Sequence, residues 1–439
     1  MISVIIESLA YGGDGVARLP GGRTVFVQGA CPGDEVALAE IEEHQNWSRA
    51  TIDRVIVPSP DRITPPCPYA GACGGCQWQH IAYERQLDAK HRIVADAFER
   101  IARLDGVVVD EVRASQSPLG YRNKIELVWD VSSGRAGLGY HRPRSEEIVA
   151  IDRCMLLPER AQGLPRSLTG ALRYLSGRFG DLGILRVGVR AAAKRGDLEI
   201  ALWTRPASFP RAAVGATLTD AAGATSVVRV LARDTEARRR IAGVEVLTGR
   251  GNWVETLSGF DYAISAPSFF QVNTASANFL VELVMSGLNP AATDRVADMY
   301  AGAGTFTLPL AQAAGEVVAF EGSRHALADL RRNLDRAGLP ADIVGGDAAR
   351  ELLTAGAFDL AVVDPPRQGL SPEALRAVVS ANPRAIAYVS CDPATLARDS
   401  RELVNRNYRI TRVTPVDMFP QTYHVETVVI FRQNGERLP

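Results

Sequence analysis

From about residue 258 onward the sequence alternates short β-runs with helical patterns, and this alternation restricts the possible folds more than any other feature. Apolar β-runs occupy 295–300, 316–321, 341–345, 358–364 and 384–390, and the clearest helical patterns between them cover 326–337, 372–380 and 394–405. Two further runs, 408–416 and 425–432, close the chain. Five near-parallel strand–helix units followed by two closing strands predict a doubly wound α/β sheet covered on both faces. Such sheets bind ligands beyond the carboxyl ends of their strands. The residues that end each run are therefore candidates for chemistry.

The fifth run ends Ala387-Tyr388-Val389-Ser390-Cys391-Asp392-Pro393, which puts Cys391 at the sheet edge just before a helix. A helix N-terminus beside a thiol is expected to favour the thiolate. A small buried apolar residue is the commoner fate of a lone cysteine, so the neighbouring motifs must decide. The first run leads into Asp298-Met299-Tyr300-Ala301-Gly302-Ala303-Gly304-Thr305-Phe306, a glycine turn into a helix. A dinucleotide fingerprint would place its third glycine where Thr307 stands, so a pyrophosphate fits poorly. Glu321, ending the second run, suits ribose hydroxyls, and Asp347, after the third, suits an adenine amino group. Ribose and adenine without pyrophosphate point to S-adenosylmethionine. Each acid taken alone is more often a loop carboxylate or helix cap, but three such positions at consecutive strand ends weaken that reading. The fourth run ends Asp364-Pro365-Pro366-Arg367, where two prolines stiffen the loop behind the Asp364 carboxylate.

Cys67, Cys73 and Cys76 follow a proline-rich linker in a C-x5-C-x2-C pattern, with Gly71, Gly74 and Gly75 among them. A disulfide framework is not expected in a cytosolic chain of 439 residues. The spacing predicts a metal centre, with Cys154 as the uncommitted fourth ligand, and fits a [4Fe–4S] cluster better than a two-knuckle zinc site.

Residues 1–58 carry short β-runs at 2–6, 24–27, 35–38 and 50–57 separated by glycine-rich turns, which predicts a small OB-like β-barrel. Residues 59–257 read as a central α+β domain, with a charged helix over 83–104 and strands at 125–129, 185–189, 198–203 and 226–231. Arg238, Arg239 and Arg240 are a possible RNA contact, although a solvated face is commoner. The formal net charge of −1 neither advertises nor excludes nucleic acid, because phosphate contacts need only a local basic face. No apolar run is long enough to span a bilayer, and the N-terminus lacks an export signal. A cytoplasmic monomer without membrane contact is expected.

These segments resemble known families. Gly-Gly-Asp-Gly-Val-Ala-Arg at 12–18, Val25-Phe26-Val27 and Pro32-Gly33-Asp34 are similar to the TRAM domain, an RNA-binding module. Residues 258–439 resemble the catalytic domain of the RNA 5-methyluridine (uracil-C5) methyltransferases through Ser268-Phe269-Phe270-Gln271-Val272-Asn273, the glycine loop, Asp364-Pro365-Pro366-Arg367, Ser390-Cys391-Asp392-Pro393 and His424-Val425-Glu426-Thr427. One departure is Gln421, where that family often carries histidine.

The resemblance implies a Rossmann-like S-adenosylmethionine-dependent sheet over 258–439, an RNA substrate, and a structural [4Fe–4S] cluster on Cys67, Cys73, Cys76 and Cys154. It implies Cys391 as nucleophile and Glu426 as general base. Gln271, Tyr300, Glu321, Asp347 and Asp364 would contact the cofactor or the reacting base, and Phe269 would stack on the uracil. Uracil C5 is a poor nucleophile until a thiolate adds at C6, which explains the need for both groups. Ribosomal RNA is preferred over transfer RNA because of the added barrel and cluster. The rival expectations are an amino-methyltransferase using the Asp364-Pro365-Pro366 loop, a non-catalytic RNA-binding protein, and a redox protein built on the cysteines.

Overall fold

The computed structural model describes residues 2–131, 136–233 and 241–435. The arginines 238–240 lie outside the described residues.

The C-terminal sheet has seven strands: Arg295–Met299, Glu316–Glu321, Asp342–Gly345, Leu360–Val363, Ala385–Ser390, Tyr408–Val416 and Glu426–Gln433. Numbered in that order they lie 3-2-1-4-5-7-6 across the sheet. The first five are parallel, and the seventh inserts antiparallel between the fifth and sixth. The strands are apolar on both faces because both are covered. Leu280, Val284, Leu308 and Leu330 pack on one face. Leu352, Leu375, Leu396 and Leu403 pack on the other. The expected doubly wound sheet is thus the observed one.

The helix Tyr83–Ala97 continues as a π-turn, Phe98–Ala102, and stops where Arg103 takes a left-handed φ of 54°. Its stripe of Val94, Ala97, Phe98 and Ala102 lies on the C-terminal sheet, in the same core as Phe320 and Tyr388. Its buried Lys90 donates to Asp417 Oδ1 at 2.5 Å and to the Phe419 carbonyl at 3.0 Å. Tyr83 donates to the other oxygen of Asp417 at 2.9 Å. Gln86 exchanges hydrogen bonds with Gln421, accepting from its backbone N–H at 2.9 Å and donating to its side chain at 3.1 Å. The loop from 417 to 425 is thereby fastened to this helix. Gln421 belongs to that amide pairing.

The N-terminal region forms a six-stranded sheet from Ser3–Ile5, Ser8–Leu9, Gly15–Arg18, Thr24–Val27, Glu35–Glu43 and Trp47–Val57. It closes around Val4, Ile6, Ala17, Val25, Val27 and Val36. The segment Gly15–Arg18, not among the expected β-runs, is a strand, because Gly15 and Val16 pair with Val27 and Phe26.

The central sheet also has seven strands, ordered Ile241–Gly249, Ser226–Ala232, Leu198–Thr204, Ile184–Ala191, Lys124–Asp130, Gly137–His141 and Ile148–Ala150. Helices Leu164–Phe179 and Arg211–Ala222 bury Leu168, Leu172, Val214 and Leu218 against it. The strand Gly137–His141 has weak strand propensity because Gly139 is required there. A Cβ at 139 would fall 2.1 Å from the Val149 carbonyl oxygen. No helix among the described residues is long and apolar enough to cross a membrane.

Candidate active site

Ser390 ends the fifth strand and pairs with Thr427 of the seventh. The next residues along, Cys391 and Glu426, therefore come side by side at the carboxyl edge of the sheet. Cys391 is half-buried, whereas Glu426 is 7% exposed. Asp392 caps the helix Pro393–Val404, its Oδ1 accepting from the amides of Ala394 at 3.0 Å and Thr395 at 2.9 Å. The helix N-terminus is thus occupied by a carboxylate.

That corrects the expectation of a thiolate favoured by the helix. Burial pushes the Cys391 thiol up to about 12, Glu426, Asp364 and Asp392 push the same way, and Arg367 opposes them. Burial also lifts Glu426 to about 8, helped by Asp364 and opposed by Arg367. Burial lifts Asp364 to about 7, with Asp298 adding to it. The edge is therefore a cluster of acids and one thiol, each discouraging charge on the next, with Arg367 as their cation. Such a site gains most from a bound positive charge.

Asp298, at the end of the first strand, is fully buried and pushed by desolvation to about 7. Thr307 donates to its Oδ2 at 2.5 Å, a bond that a glycine there could not make. Tyr300 turns the chain with a left-handed φ of 63°. One oxygen of Glu321 accepts from the Gly302 amide at 2.8 Å and the other from Ser323 at 2.5 Å, so this acid fixes the glycine turn. Gly304 has a φ of 100°, and a Cβ there would meet Leu308 at 2.7 Å. Asp347 is exposed and caps the helix Ala348–Thr354 through the Arg350 amide at 3.0 Å. It also faces Tyr300, whose hydroxyl it helps keep neutral after burial.

Gln271 is buried, and its carbonyl accepts from Asn123 Nδ2 at 2.9 Å. The Asn123 amide donates to Val272 at 2.8 Å. Arg190 donates to the carbonyls of Ser265 at 2.8 Å and Ser268 at 2.6 Å. The central sheet thus holds the 265–272 loop through Asn123 and Arg190, while Phe269 stays 67% exposed.

The four expected metal ligands converge. Cys67, Cys73, Cys76 and Cys154 line one cavity of about 50 Å³ together with Arg122 and Tyr140. Burial, and then the neighbouring cysteines, push Cys76 up to about 12. No group of three or more cysteines, histidines or carboxylates among the described residues is gathered tightly enough for a metal ion.

Residues 351–434 match the tRNA (Uracil-5-)-methyltransferase family, 245–385 the methyltransferase small domain, and 1–48 the TRAM domain. An uncharacterized RNA methyltransferase of Gloeobacter violaceus is 36% identical across 99% of this chain and 96% of its own length. The chain belongs to the RNA methyltransferases. A Thermotoga maritima RNA methyltransferase, also uncharacterized, is 34% identical over 97% of this chain and 98% of its own. The solved Pyrococcus abyssi tRNA (uracil-54, C5)-methyltransferase, in complex with S-adenosyl-L-homocysteine, superimposes with a TM-score of 0.76 at 26% identity. That likeness covers 98% of this chain and 99% of the other.

Several groups at the site of this RNA methyltransferase were missed in the sequence. Arg367 stood inside a quoted motif without a role. Asn123 lies just before the expected strand at 125–129 and carries no signal of its contact with the 271–272 backbone. Tyr11, a barrel residue that donates to the Cys391 carbonyl at 3.3 Å, carries no local signal because the contact spans 380 positions.

Proposed function

We propose that this RNA methyltransferase moves a methyl group from S-adenosylmethionine to C5 of a specific uridine in ribosomal or transfer RNA. The observation that carries the reading is a thiol and a buried carboxyl group placed side by side, Cys391 and Glu426, at the ligand-binding edge of the sheet. S-adenosylmethionine supplies an electrophilic methyl group and a positive sulfonium. That charge is of the sign this acidic edge calls for.

Cys391 adds as a thiolate to C6 of the uracil, and the displaced π-electrons load C5. C5 then takes the methyl, and the donor leaves as the neutral thioether. Glu426 removes the C5 proton, the C–H electron pair restores the C5–C6 double bond, and the Cys391 sulfur departs. Asp364, beside both, is proposed to hold the uracil edge. Tyr300, Glu321, Asp347 and Gln271 are proposed to hold the donor, and Phe269 to stack on the extruded base.

Cys67, Cys73, Cys76 and Cys154 are proposed to hold a [4Fe–4S] cluster. A single ion draws all its thiolates to about 2.3 Å from one point, whereas a four-iron cluster takes one thiolate on each iron around its periphery. The four cysteines line one cavity, and that convergence is what supports the reading. The cluster enters no step of the transfer. It would brace the face presented to RNA beside the barrel of 1–58 and the central region of 59–257, while 258–439 carries out the chemistry.

The expected preference for ribosomal RNA rests on the barrel and the cysteines, and one comparison supports transfer RNA as the other substrate class. The Pyrococcus abyssi enzyme, named for transfer RNA, matches this chain over almost its whole length. The test is mass-spectrometric mapping of 5-methyluridine in both RNA classes from a strain lacking this protein. One uridine should lose its methyl and regain it on complementation. Unchanged 5-methyluridine in both classes overturns the proposal.

A further inference from the structure

The tip of the first barrel hairpin, between Ser8–Leu9 and Gly15–Arg18, reaches the nucleophile loop. Tyr11 Oη lies 3.2 Å from Asp392 Oδ2 and 3.3 Å from the Cys391 carbonyl oxygen, so its single hydrogen serves one or the other. Asp392 divides its carboxylate between two tasks, since Oδ1 already caps the catalytic helix. The Tyr11 ring meets Tyr423 edge-on at 5.4 Å, and Tyr423 lies 4.2 Å from His424, two residues before Glu426.

The tip is held in place by its own neighbours. Trp78 Nε1 donates to the Gly13 carbonyl at 3.0 Å. Arg144 donates to Asp14 at 2.6 Å, and Arg49 lies 3.3 Å from the same carboxylate. Gly13 has a φ of 97°, and a Cβ there would crowd Tyr423 at 3.1 Å and Gln77 at 3.2 Å. Glycine at this position is what lets the barrel close on the catalytic domain.

Tyr11 also borders two clefts. One, about 180 Å³, holds Phe26, Trp47 and Arg49. The other, about 600 Å³, runs past Arg18, Arg92 and Arg100 to Pro393 and Ala394 at the start of the catalytic helix. Arginines interleaved with aromatic rings suit a single-stranded nucleic-acid chain. An RNA strand in either cleft would press on Tyr11.

We propose that Tyr11 is a positioning residue for methyl transfer, through which RNA seated on the barrel fixes the Cys391–Asp392 segment in its reactive placement. This rests on the reading of Cys391 as the nucleophile. The barrel then contributes to turnover as well as to affinity. Its arginines and Trp47 provide RNA binding, and the Tyr11 hydroxyl locks the loop once RNA is bound.

Tyr11→Phe keeps the ring against Tyr423 and deletes only the O–H. The expected result is a fall in kcat of about tenfold, the scale of one hydrogen bond to a charged acceptor. KM for RNA, affinity for S-adenosylmethionine and melting temperature should stay at their wild-type values. The rising limb of the pH–rate profile should move to higher pH, because Asp392 loses a donor that offsets its charge beside Cys391. Gly13→Ala, which pushes the tip off Tyr423, should give the same kcat-selective loss.

Wild-type kcat in Tyr11→Phe overturns the proposal. So does a rise in KM at constant kcat, which makes Tyr11 a plain RNA contact. If Tyr11→Phe melts earlier, single-turnover adduct formation on 5-fluorouridine RNA at a temperature where both proteins are folded decides between the two. A slower adduct supports the proposal and an equal rate sinks it. A wild-type enzyme that makes no 5-methyluridine at all refutes the uridine reading instead, a result separate from any effect of Tyr11→Phe.

Discussion

Cys391 and Glu426 lie one residue beyond the Ser390–Thr427 pair of an antiparallel ladder, although 35 positions separate them in the chain. The relationship exists because the last strand inserts between the fifth and sixth, running against the fifth. Its first residue therefore meets the fifth strand's end, at the edge where parallel sheets take their ligands. A seventh strand running parallel to the fifth would have put Glu426 at the opposite edge.

Cys391→Ala should lower methyl transfer at least 10³-fold while leaving S-adenosylmethionine binding unchanged, as expected for loss of a covalent nucleophile. Transfer of labelled methyl into RNA, with calorimetry on the donor, checks both halves. Retained activity would indicate an amine methylator working through Asp364.

Glu426→Gln should separate the two halves of the reaction. Addition and methylation continue, but the C5 proton stays, so RNA accumulates covalently attached to Cys391. Denaturing gels of enzyme with unmodified RNA and methyl donor should show a slow-migrating band absent from the wild type. Clean turnover without that band rules out Glu426 as the base.

Glu426 also gives a pH signature in stability. Its folded value of about 8 lies above its ordinary carboxylate value, so the folded state tolerates the neutral form and is penalised for the charged one. The favourable margin is complete below the ordinary value and disappears as pH rises through about 8. Glu426→Gln should therefore melt above the wild type at pH 9, and the gap should narrow at pH 6. Each kcal/mol should appear as about 2–4 °C.

Activity should follow the opposite trend with rising pH. Thiolate and carboxylate must both be ionised, so kcat/KM of the free enzyme is expected to climb steeply up to about 8, where Glu426 ionises, and to keep climbing above it as Cys391 does. A saturating donor should move the kcat limb to lower pH, because the sulfonium favours carboxylate and thiolate. Limbs unmoved by the donor would contradict this electrostatic account.

Lys90→Met should destabilise the protein by about 3–5 kcal/mol, because it strands the buried Asp417 carboxylate. Pairing it with Asp417→Asn should recover much of that loss in urea unfolding. For the cysteine cavity, anaerobically purified protein should carry about four irons per chain, and Cys73→Ser should lower that content with the sulfide. Equal iron in both would refute the assignment.

The C-terminal sheet was readable in the sequence to within a residue or two at most strand ends, because buried parallel strands are uniformly apolar and their helices keep a regular stripe. The strands Gly137–His141, Ile148–Ala150 and Ile241–Gly249 were not. The first is glycine-rich for a packing reason visible only at Val149, the second is too short to register, and the third runs along the sheet edge. The roles of Tyr300 and Glu321 were half legible. Their places at strand ends followed from the pattern, but Glu321 spending both oxygens on backbone amides did not.

The sequence by itself determined which side chains end each strand, since hydrophobic periodicity and turn residues are local properties. It thereby placed Cys391, Asp364 and Glu321 at one edge and grouped three of the four cysteines. Tertiary structure decided what surrounds them. Strand order brought Glu426 to Cys391. Packing buried Glu426 and pushed the Cys391 thiol up, against the expected bias toward thiolate. A barrel tip 380 residues away closed on the Cys391–Asp392 loop. Burial and long-range pairing depend on the whole chain's geometry, so no local window of residues carries them.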